Sequence, residues 1–197
     1  MKGQRTVGRY RTIDLTLFAL MLILSETLIV SAATRWFPNE PYTVSVVAAI
    51  TAIVMIRWGP WGGLHAALGG VVFCLASHGT AAQYLIYGLG NLAGLGALGL
   101  IRLWGAEEIR MDPLKTLGYG LITLLLMQLG RAALALALGA GIGECTGFFT
   151  TDVVSLLFTL VILWIARRLD GILENQRHYL LRIAKEQEAE KEDFDEG

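Results

Sequence analysis

Three charged residues lie inside long apolar stretches of this 197-residue chain, and they are the side chains best suited to bind a polar ligand. They are Glu26, Arg131 and Asp152. A charge near the middle of a membrane helix costs about 2.5–3.5 kcal/mol on insertion scales, so such residues normally face a bundle interior or a wet cavity. Arg131 is therefore expected either to pair with Glu26 or Asp152, or to anchor an anionic or carbonyl group of a ligand. A charge pair that braces a pocket would satisfy both expectations.

Neutral polar and aromatic residues extend this candidate substrate-binding site. Gln128 precedes Arg131 by three residues and shares its helical face, and Asn91 is expected near the same depth. Both are predicted to hydrogen-bond a ligand or to brace Arg131. Aromatic candidates for stacking on a flat ligand, or for a lid over it, are Trp36, Tyr42, Tyr84, Tyr87 and Phe149. Aromatic residues also form belts at membrane interfaces, so this alternative stays open.

Motifs of the common enzyme classes are missing from the sequence. There is no HExxH zinc motif, no GxSxG nucleophile motif and no Walker-type phosphate loop. His65 and His78 are expected at opposite ends of one span, too far apart to share a metal. We therefore predict no enzyme activity, no metal and no cofactor. The stretch 141–144 weakly resembles an intramembrane aspartyl protease motif with Glu144 in place of Asp, which leaves an intramembrane hydrolase as a third possibility.

The elements that must position these residues are membrane helices. Hydrophobic residues make up 54% of the chain and charged residues only 17%, against roughly 25% charged in soluble domains. The sequence predicts an all-α integral membrane bundle of six transmembrane helices at about 13–33, 43–56, 61–77, 83–103, 114–140 and 148–166. The second span is short and is expected to be tilted, re-entrant or locally irregular. A basic N-terminus (1–12) precedes this membrane domain (13–168), and a charged helical tail (169–197) follows it.

Lysine and arginine residues predict the orientation of the bundle. They concentrate in the N-terminal segment, in alternate loops and after the sixth span, whereas the opposite loops hold only Arg35. By the positive-inside rule both termini are cytoplasmic, as in a multi-pass protein of a bacterial plasma membrane. Residues 30–32 could end a cleaved signal peptide, but Glu26 argues against cleavage, so the first span is expected to remain. The net charge of −1 excludes a nucleic-acid partner recruited by a global basic field.

Two further patterns concern contacts with other proteins. Small residues recur at every fourth position in the second and third spans, a spacing that serves close helix packing. This packing is either internal or a partner interface formed by Ala48, Ala52, Gly62, Ala66 and Gly70. In the tail, spacings of four and three residues predict a helical stripe that continues from the sixth span, formed by Leu169, Leu173, Gln176, Leu180 and Ile183. That stripe is either one edge of a solvated helix or a coiled-coil contact.

The stretch 57–64, which reads RWGPWGGL and leads into the small residues 66–70, resembles the start of the third helix in substrate-binding S-components of energy-coupling factor (ECF) transporters. The resemblance covers about residues 10–170 and includes the size and the six spans. It implies capture of a vitamin or related micronutrient from outside, beneath the loops between spans one and two, three and four, and five and six. It also implies a membrane coupling subunit and two cytoplasmic ATPase subunits as partners. In the family, small residues on the first helix contact the coupling subunit; here Ala19 is followed four positions later by Ile23, which departs from that pattern.

The sequence thus predicts a substrate-capturing subunit of an ECF-type importer in the lipid bilayer. The alternative is a small membrane scaffold of cell-envelope assembly that transports no ligand and works through its C-terminal helix.

Overall fold

The computed structural model describes residues 2–40 and 42–195, with side chains over 7–40 and 42–186, and within these ranges the regular structure is entirely helical. The helices are α1 (Lys2–Trp36), α2 (Val47–Trp58), α3 (Gly62–Ala76), α4 (Ala81–Gly90), α5 (Leu98–Trp104), α6 (Ala106–Met111), α7 (Pro113–Ala137), α8 (Ile142–Thr150), α9 (Val153–Ala166) and α10 (Gln176–Asp195). Short 3₁₀ segments join α2 to α3 (Gly59–Trp61) and α4 to α5 (Asn91–Ala97). The predicted all-α fold is confirmed.

Five helical stretches are long and apolar enough to cross a membrane. They are Val7–Trp36, Val47–Ala76, Ala81–Trp104, Pro113–Ala137 and Ile142–Ala166. The chain is therefore compatible with a multi-pass membrane bundle. The predicted fourth and sixth spans are not continuous α-helices. The fourth contains a 3₁₀ segment at Asn91–Ala97, and the sixth contains the break between α8 and α9.

The stretch Val47–Ala76 folds back on itself as a helical hairpin. Gly59 has a φ of 64°, which ends α2, and the 3₁₀ turn with Pro60 reverses the chain. A Cβ on Gly62 would lie 2.4 Å from Met55, and one on Gly69 would lie 2.6 Å from Val47, so α2 and α3 pack antiparallel with their axes very close. With 12 residues, α2 is only about 18 Å long. It is continued by a non-helical segment, 42–46, that reaches the end of the bundle.

We call the end of the bundle with residues 37–46 and 138–152 the distal end, and the end with the start of α1 and residues 167–186 the proximal end. Helix α7 lies at the centre and packs against α4, α2 and α9. Every residue of α2 is buried. Helices α2 and α7 therefore form the centre of the bundle.

The five small residues expected at a partner interface lie inside the protein, which corrects that expectation. Ala48 and Ala66 pack with Leu124 and Met127 in one apolar cluster, and Ala52 is fully buried in another. Gly62 is closed off by Met55, and a Cβ on Gly70 would lie 2.3 Å from the backbone of α4. Their spacing serves close packing within the chain, because a small residue permits the same approach to an internal neighbour as to an external one.

The tail does not continue the sixth span, which corrects a second expectation. Helix α9 ends at Ala166, and turns occupy 167–174, where Gly171 has a φ of 70°. Leu173 and Gln176 from the predicted stripe are fully buried against the proximal end. Arg57 holds this turn: its guanidinium donates to the Gly171 carbonyl and forms an ion pair with Asp14 at 2.7 Å. The first tail residues are therefore part of the bundle.

Candidate functional site

A buried polar cluster lies around Arg131 in α7. The Arg131 Nη1 donates to Asp152 Oδ2 at 2.7 Å, and its Nε donates to Asn91 Oδ1 at 2.7 Å. The guanidinium carbon also lies 4.8 Å from the centre of the Tyr87 ring, within the range of a cation–π contact. Arg131, Asp152 and Asn91 are each less than 5% exposed. The structure thus pairs Arg131 with Asp152 and not with Glu26.

Local chain geometry explains how these side chains meet. A Cβ on Gly130 would lie 2.2 Å from the Gly90 carbonyl oxygen, so the backbones of α4 and α7 touch there. This contact places Asn91, the residue after Gly90, directly beside Arg131. The break between α8 and α9 positions Asp152 at the start of α9, where its carboxylate reaches α7. Gln128, one turn before Arg131, lies at the limit of hydrogen bonding to Asp152, at 3.5 Å.

Glu26 has a separate role: it supports the non-helical segment 42–46. Its Oε2 accepts a hydrogen bond from the Val46 N–H at 2.9 Å, and the residue is fully buried. The other end of the segment is held by the last span. Thr43 donates from its backbone to the Thr151 carbonyl at 3.0 Å and from its hydroxyl to Asp152, and Ser155 donates to the Thr43 carbonyl at 3.1 Å. Irregular backbone at membrane depth requires such internal partners.

A cavity of about 530 Å³ opens at the distal end, above this segment. Its walls are the last turns of α1 and α3, the described loop residues between Phe37 and Val44, and the start of α9. The described lining residues are Val30, Ala33, Thr34, Phe37, Pro38, Glu40, Tyr42, Thr43, Val44, Phe73, Ser77 and Val154. The volume falls within the roughly 300–1,000 Å³ typical of small-molecule sites. This distal cavity can therefore hold a compact organic ligand.

The Arg131 cluster lies behind the distal cavity and is closed off from it. A small void among Ser45, Phe73, Tyr87, Arg131 and Asp152 leaves no room for a water molecule. Phe73 lines both this void and the distal cavity, and its ring stacks on Tyr87 at a centroid distance of 4.7 Å. Phe73, together with Thr43, whose hydroxyl donates to Asp152, thus separates the open cavity from the ion pair.

The predicted aromatic residues have divergent positions. Tyr42 lines the distal cavity, and Tyr87 lies beneath Arg131. Phe149 packs in an apolar cluster between α7 and α8, and Tyr84 is half-buried on α4. Trp36 is 72% exposed at the end of α1 and is not among the described lining residues. These positions divide the predicted set into cavity, support and surface residues.

Sequence reasoning missed several residues of this region. Phe37, Glu40 and Phe73 line the distal cavity, and Ser45 and Ser155 lie in the network beneath it. Phe37 and Glu40 lie in the loop after the first predicted span, but no sequence pattern indicated that these two residues in particular would line a cavity. Phe73 carried no signal, because one aromatic in an apolar helix has the appearance of an ordinary core residue.

The remaining candidate residues for metal or hydrolytic chemistry have local partners. His65 Nε2 lies 3.0 Å from the Leu15 carbonyl oxygen, and the Glu144 carboxylate accepts a hydrogen bond from the Gly141 N–H at 3.1 Å, at the start of α8. Cys145 is buried against the Ala132 carbonyl. Within the part of the chain that the structure describes, no group of three or more His, Cys, Asp or Glu residues is arranged to hold a metal ion.

Comparisons with protein-family models, with curated proteins and with solved structures gave no match to this chain.

Proposed function

We propose that this chain is the substrate-capturing membrane subunit of an ECF-type ABC importer, which binds a vitamin or related micronutrient at its outer face. The observation that carries this proposal is the distal cavity of about 530 Å³, formed by helix ends and the loop from Phe37 to Val44. A loop wall can open and close over a ligand more easily than packed helices can. The rigid network beneath the cavity supplies a fixed floor.

Charge supports an outward orientation of that cavity. The exposed and half-buried basic residues of the described chain cluster at the proximal end, from Arg9 in α1 to Lys185 in α10, whereas the described distal end has the exposed Arg35 and the buried Arg131, whose charge is paired with Asp152. The positive-inside rule then puts the proximal end in the cytoplasm. We propose six crossings, with α2 and α3 as separate spans and segment 42–46 completing the short second one. In this arrangement both termini lie on the cytoplasmic side of a bacterial plasma membrane.

The transport step needs partners in this proposal, namely a membrane coupling subunit and two cytoplasmic ATPase subunits. The sequence has no Walker-type phosphate loop, so ATP would be hydrolysed by other chains. The small residues of α2 and α3 are covered by the protein itself, so a coupling subunit would contact other, lipid-facing surfaces.

The proposal is tested by filling the distal cavity. Ala33 lines the cavity, and Ala32, its neighbour on α1, is equally half-buried but is not among the described lining residues. Ala33→Trp and Ala32→Trp therefore form a matched pair. The tagged full-length variants and the unmodified protein are purified gently from their native membrane and analysed by native mass spectrometry, for bound small molecules and for associated subunits.

We expect the unmodified protein and Ala32→Trp to retain a small molecule of defined mass and to co-purify with ATPase subunits. Ala33→Trp should lose the small molecule and keep the partners. Retention of the same molecule by Ala33→Trp would place the ligand elsewhere. Absence of both ligand and ATPase subunits from the unmodified protein would contradict the transport function.

A membrane scaffold of cell-envelope assembly is the second candidate, and one observation favours it. The start of helix α10 is tied to the turn before it, since Arg182 forms ion pairs with Asp170 and Glu174 at 3.1 and 3.0 Å, and Arg110 joins Glu174 to the bundle at 3.1 Å. An anchored helix can present a fixed surface to a partner. Co-purification of cell-envelope proteins that is lost on truncation after Arg182, together with an empty cavity, would support this candidate over transport.

A further inference from the structure

We propose that the distal cavity is a site for a small organic cation, an amine or a heteroaromatic or quaternary ammonium compound. The inference rests on the proposed function only in taking this cavity as the ligand site. It reverses the role predicted from sequence, in which Arg131 anchors an anionic group.

The charge on the cavity wall is negative. Glu40 lines the cavity with an exposed side chain, and none of the described lining residues is Lys, Arg or His. Arg35, on the last turn of α1, is exposed but is not among the described lining residues. A carboxylate without a neighbouring cation in the wall attracts positive ligands and repels anions.

Helix ends add to this potential. The last turns of α1 and α3 contribute Thr34 and Ser77 to the wall, so the negative ends of two helix dipoles meet at the cavity. Each such end corresponds to roughly half a negative charge and favours cations. Helix α9 presents its positive end nearby through Val154, which offsets part of this negative potential but leaves one negative helix end in excess.

Aromatic rings complete the cation site. Phe37 and Tyr42 line the cavity from the loop after α1, and Phe73 lines it from the last turn of α3; the first two are more than half exposed. Faces of aromatic rings attract ammonium groups, and enclosures of such rings recognise quaternary ammonium ligands. Three rings beside one carboxylate match the recognition chemistry of an organic cation.

Arg131 does not counter this preference. Its charge is compensated by Asp152 at 2.7 Å, and Phe73 separates the pair from the open cavity. A ligand in the distal cavity therefore meets Glu40 as its charged wall residue.

The test uses three probes that share one ring and differ in charge: benzyltrimethylammonium, benzyl alcohol and phenylacetate. Binding to the full-length protein in lipid nanodiscs is measured by titration calorimetry at low salt. We expect benzyltrimethylammonium to bind about tenfold more tightly than phenylacetate, because the cation–π and carboxylate contacts each contribute a few-fold. Benzyl alcohol should fall between them, and added salt should weaken the preference because Glu40 is exposed.

Two variants locate the effect. Glu40→Gln should weaken binding of the cation by about fivefold without changing that of benzyl alcohol. Glu144→Gln removes another exposed distal carboxylate that is not among the described lining residues, and it should change neither.

The inference is overturned if phenylacetate binds as tightly as the cation, if Glu40→Gln behaves like Glu144→Gln, or if the cation fails to bind at millimolar concentration. Its failure is distinguishable from that of the proposed function. A co-purified anionic ligand together with ATPase subunits would uphold transport and refute the cation site. Selective binding of the cation without ATPase partners would uphold the cation site and contradict the transport function.

Discussion

Removing one charge of the Arg131–Asp152 pair should destabilise the protein far more than removing both. The two side chains are each 5% exposed and are joined at 2.7 Å. Arg131→Met leaves a buried carboxylate and frees Asn91, and Asp152→Asn leaves a buried guanidinium. Loss of one partner of a buried ion pair costs about 3–5 kcal/mol, since the remaining charge is uncompensated.

The double variant Arg131→Met/Asp152→Asn removes both charges and keeps an amide oxygen that can accept from Thr43 and Ser155. We expect it to cost about 1–2 kcal/mol, mainly from the hydrogen bonds that are lost. The double variant should therefore be more stable than either single variant, with a coupling of at least about 3 kcal/mol.

The free energy of unfolding can be measured in mixed micelles by titration with a denaturing detergent, followed by tryptophan fluorescence. Arg35→Met removes an exposed arginine at the same end of the bundle and should change stability by no more than about 0.5 kcal/mol. If Arg131→Met matches this control, or if the two single costs simply add, the pair does not brace the distal end and the reasoning is refuted.

Three other predictions use the same unfolding assay. Gly130→Ala directs a methyl group at the backbone of α4, 2.2 Å from a carbonyl oxygen, and should cost about 1–3 kcal/mol, whereas Gly99→Ala enters open space and should be neutral or stabilising. Glu26→Leu removes the acceptor of a buried N–H and should cost about 1–3 kcal/mol, whereas Glu26→Gln keeps an acceptor oxygen and should cost less. Truncation after Arg182 should preserve stability, whereas truncation after Ile172 removes fully buried tail residues and should lower it; equal stability would show that the tail does not brace the bundle.

Membrane energetics made the central cluster predictable in part. The cost of a charge in an apolar span explains why Arg131 and Asp152 meet, and the spacing of three residues brings Gln128 near them. The partner of Glu26 was not predictable, because it is a backbone N–H. That group needs a side-chain acceptor only because segment 42–46 is not helical, and the sequence indicated merely that the second span was short.

The two predictions that the structure corrects, the partner interface and the continuous tail helix, came from sequence patterns that each have two physical explanations. A small residue at every fourth position permits close packing on either side of a protein surface, so periodicity alone does not separate Ala52 in the core from a partner contact. The apolar stripe of the tail kept helical spacing across Gly171, but the positive φ of this glycine turns the chain and sends Leu173 into the bundle. Gly171 was therefore the residue in the sequence that indicated an end of the helix within this pattern.

The hydrogen bonds of segment 42–46 have a consequence for the order of assembly in the membrane. Val46 finds its acceptor 20 residues earlier in α1, but Thr43 depends on groups more than 100 residues later, at the break before α9. Chains are synthesised from the N-terminus, so the polar groups of Thr43 lack these partners until the last apolar stretch has entered the bilayer. The distal cavity is therefore completed last, and a nascent chain that stops before Asp152 lacks both the last partners of Thr43 and the Val154 wall of the cavity.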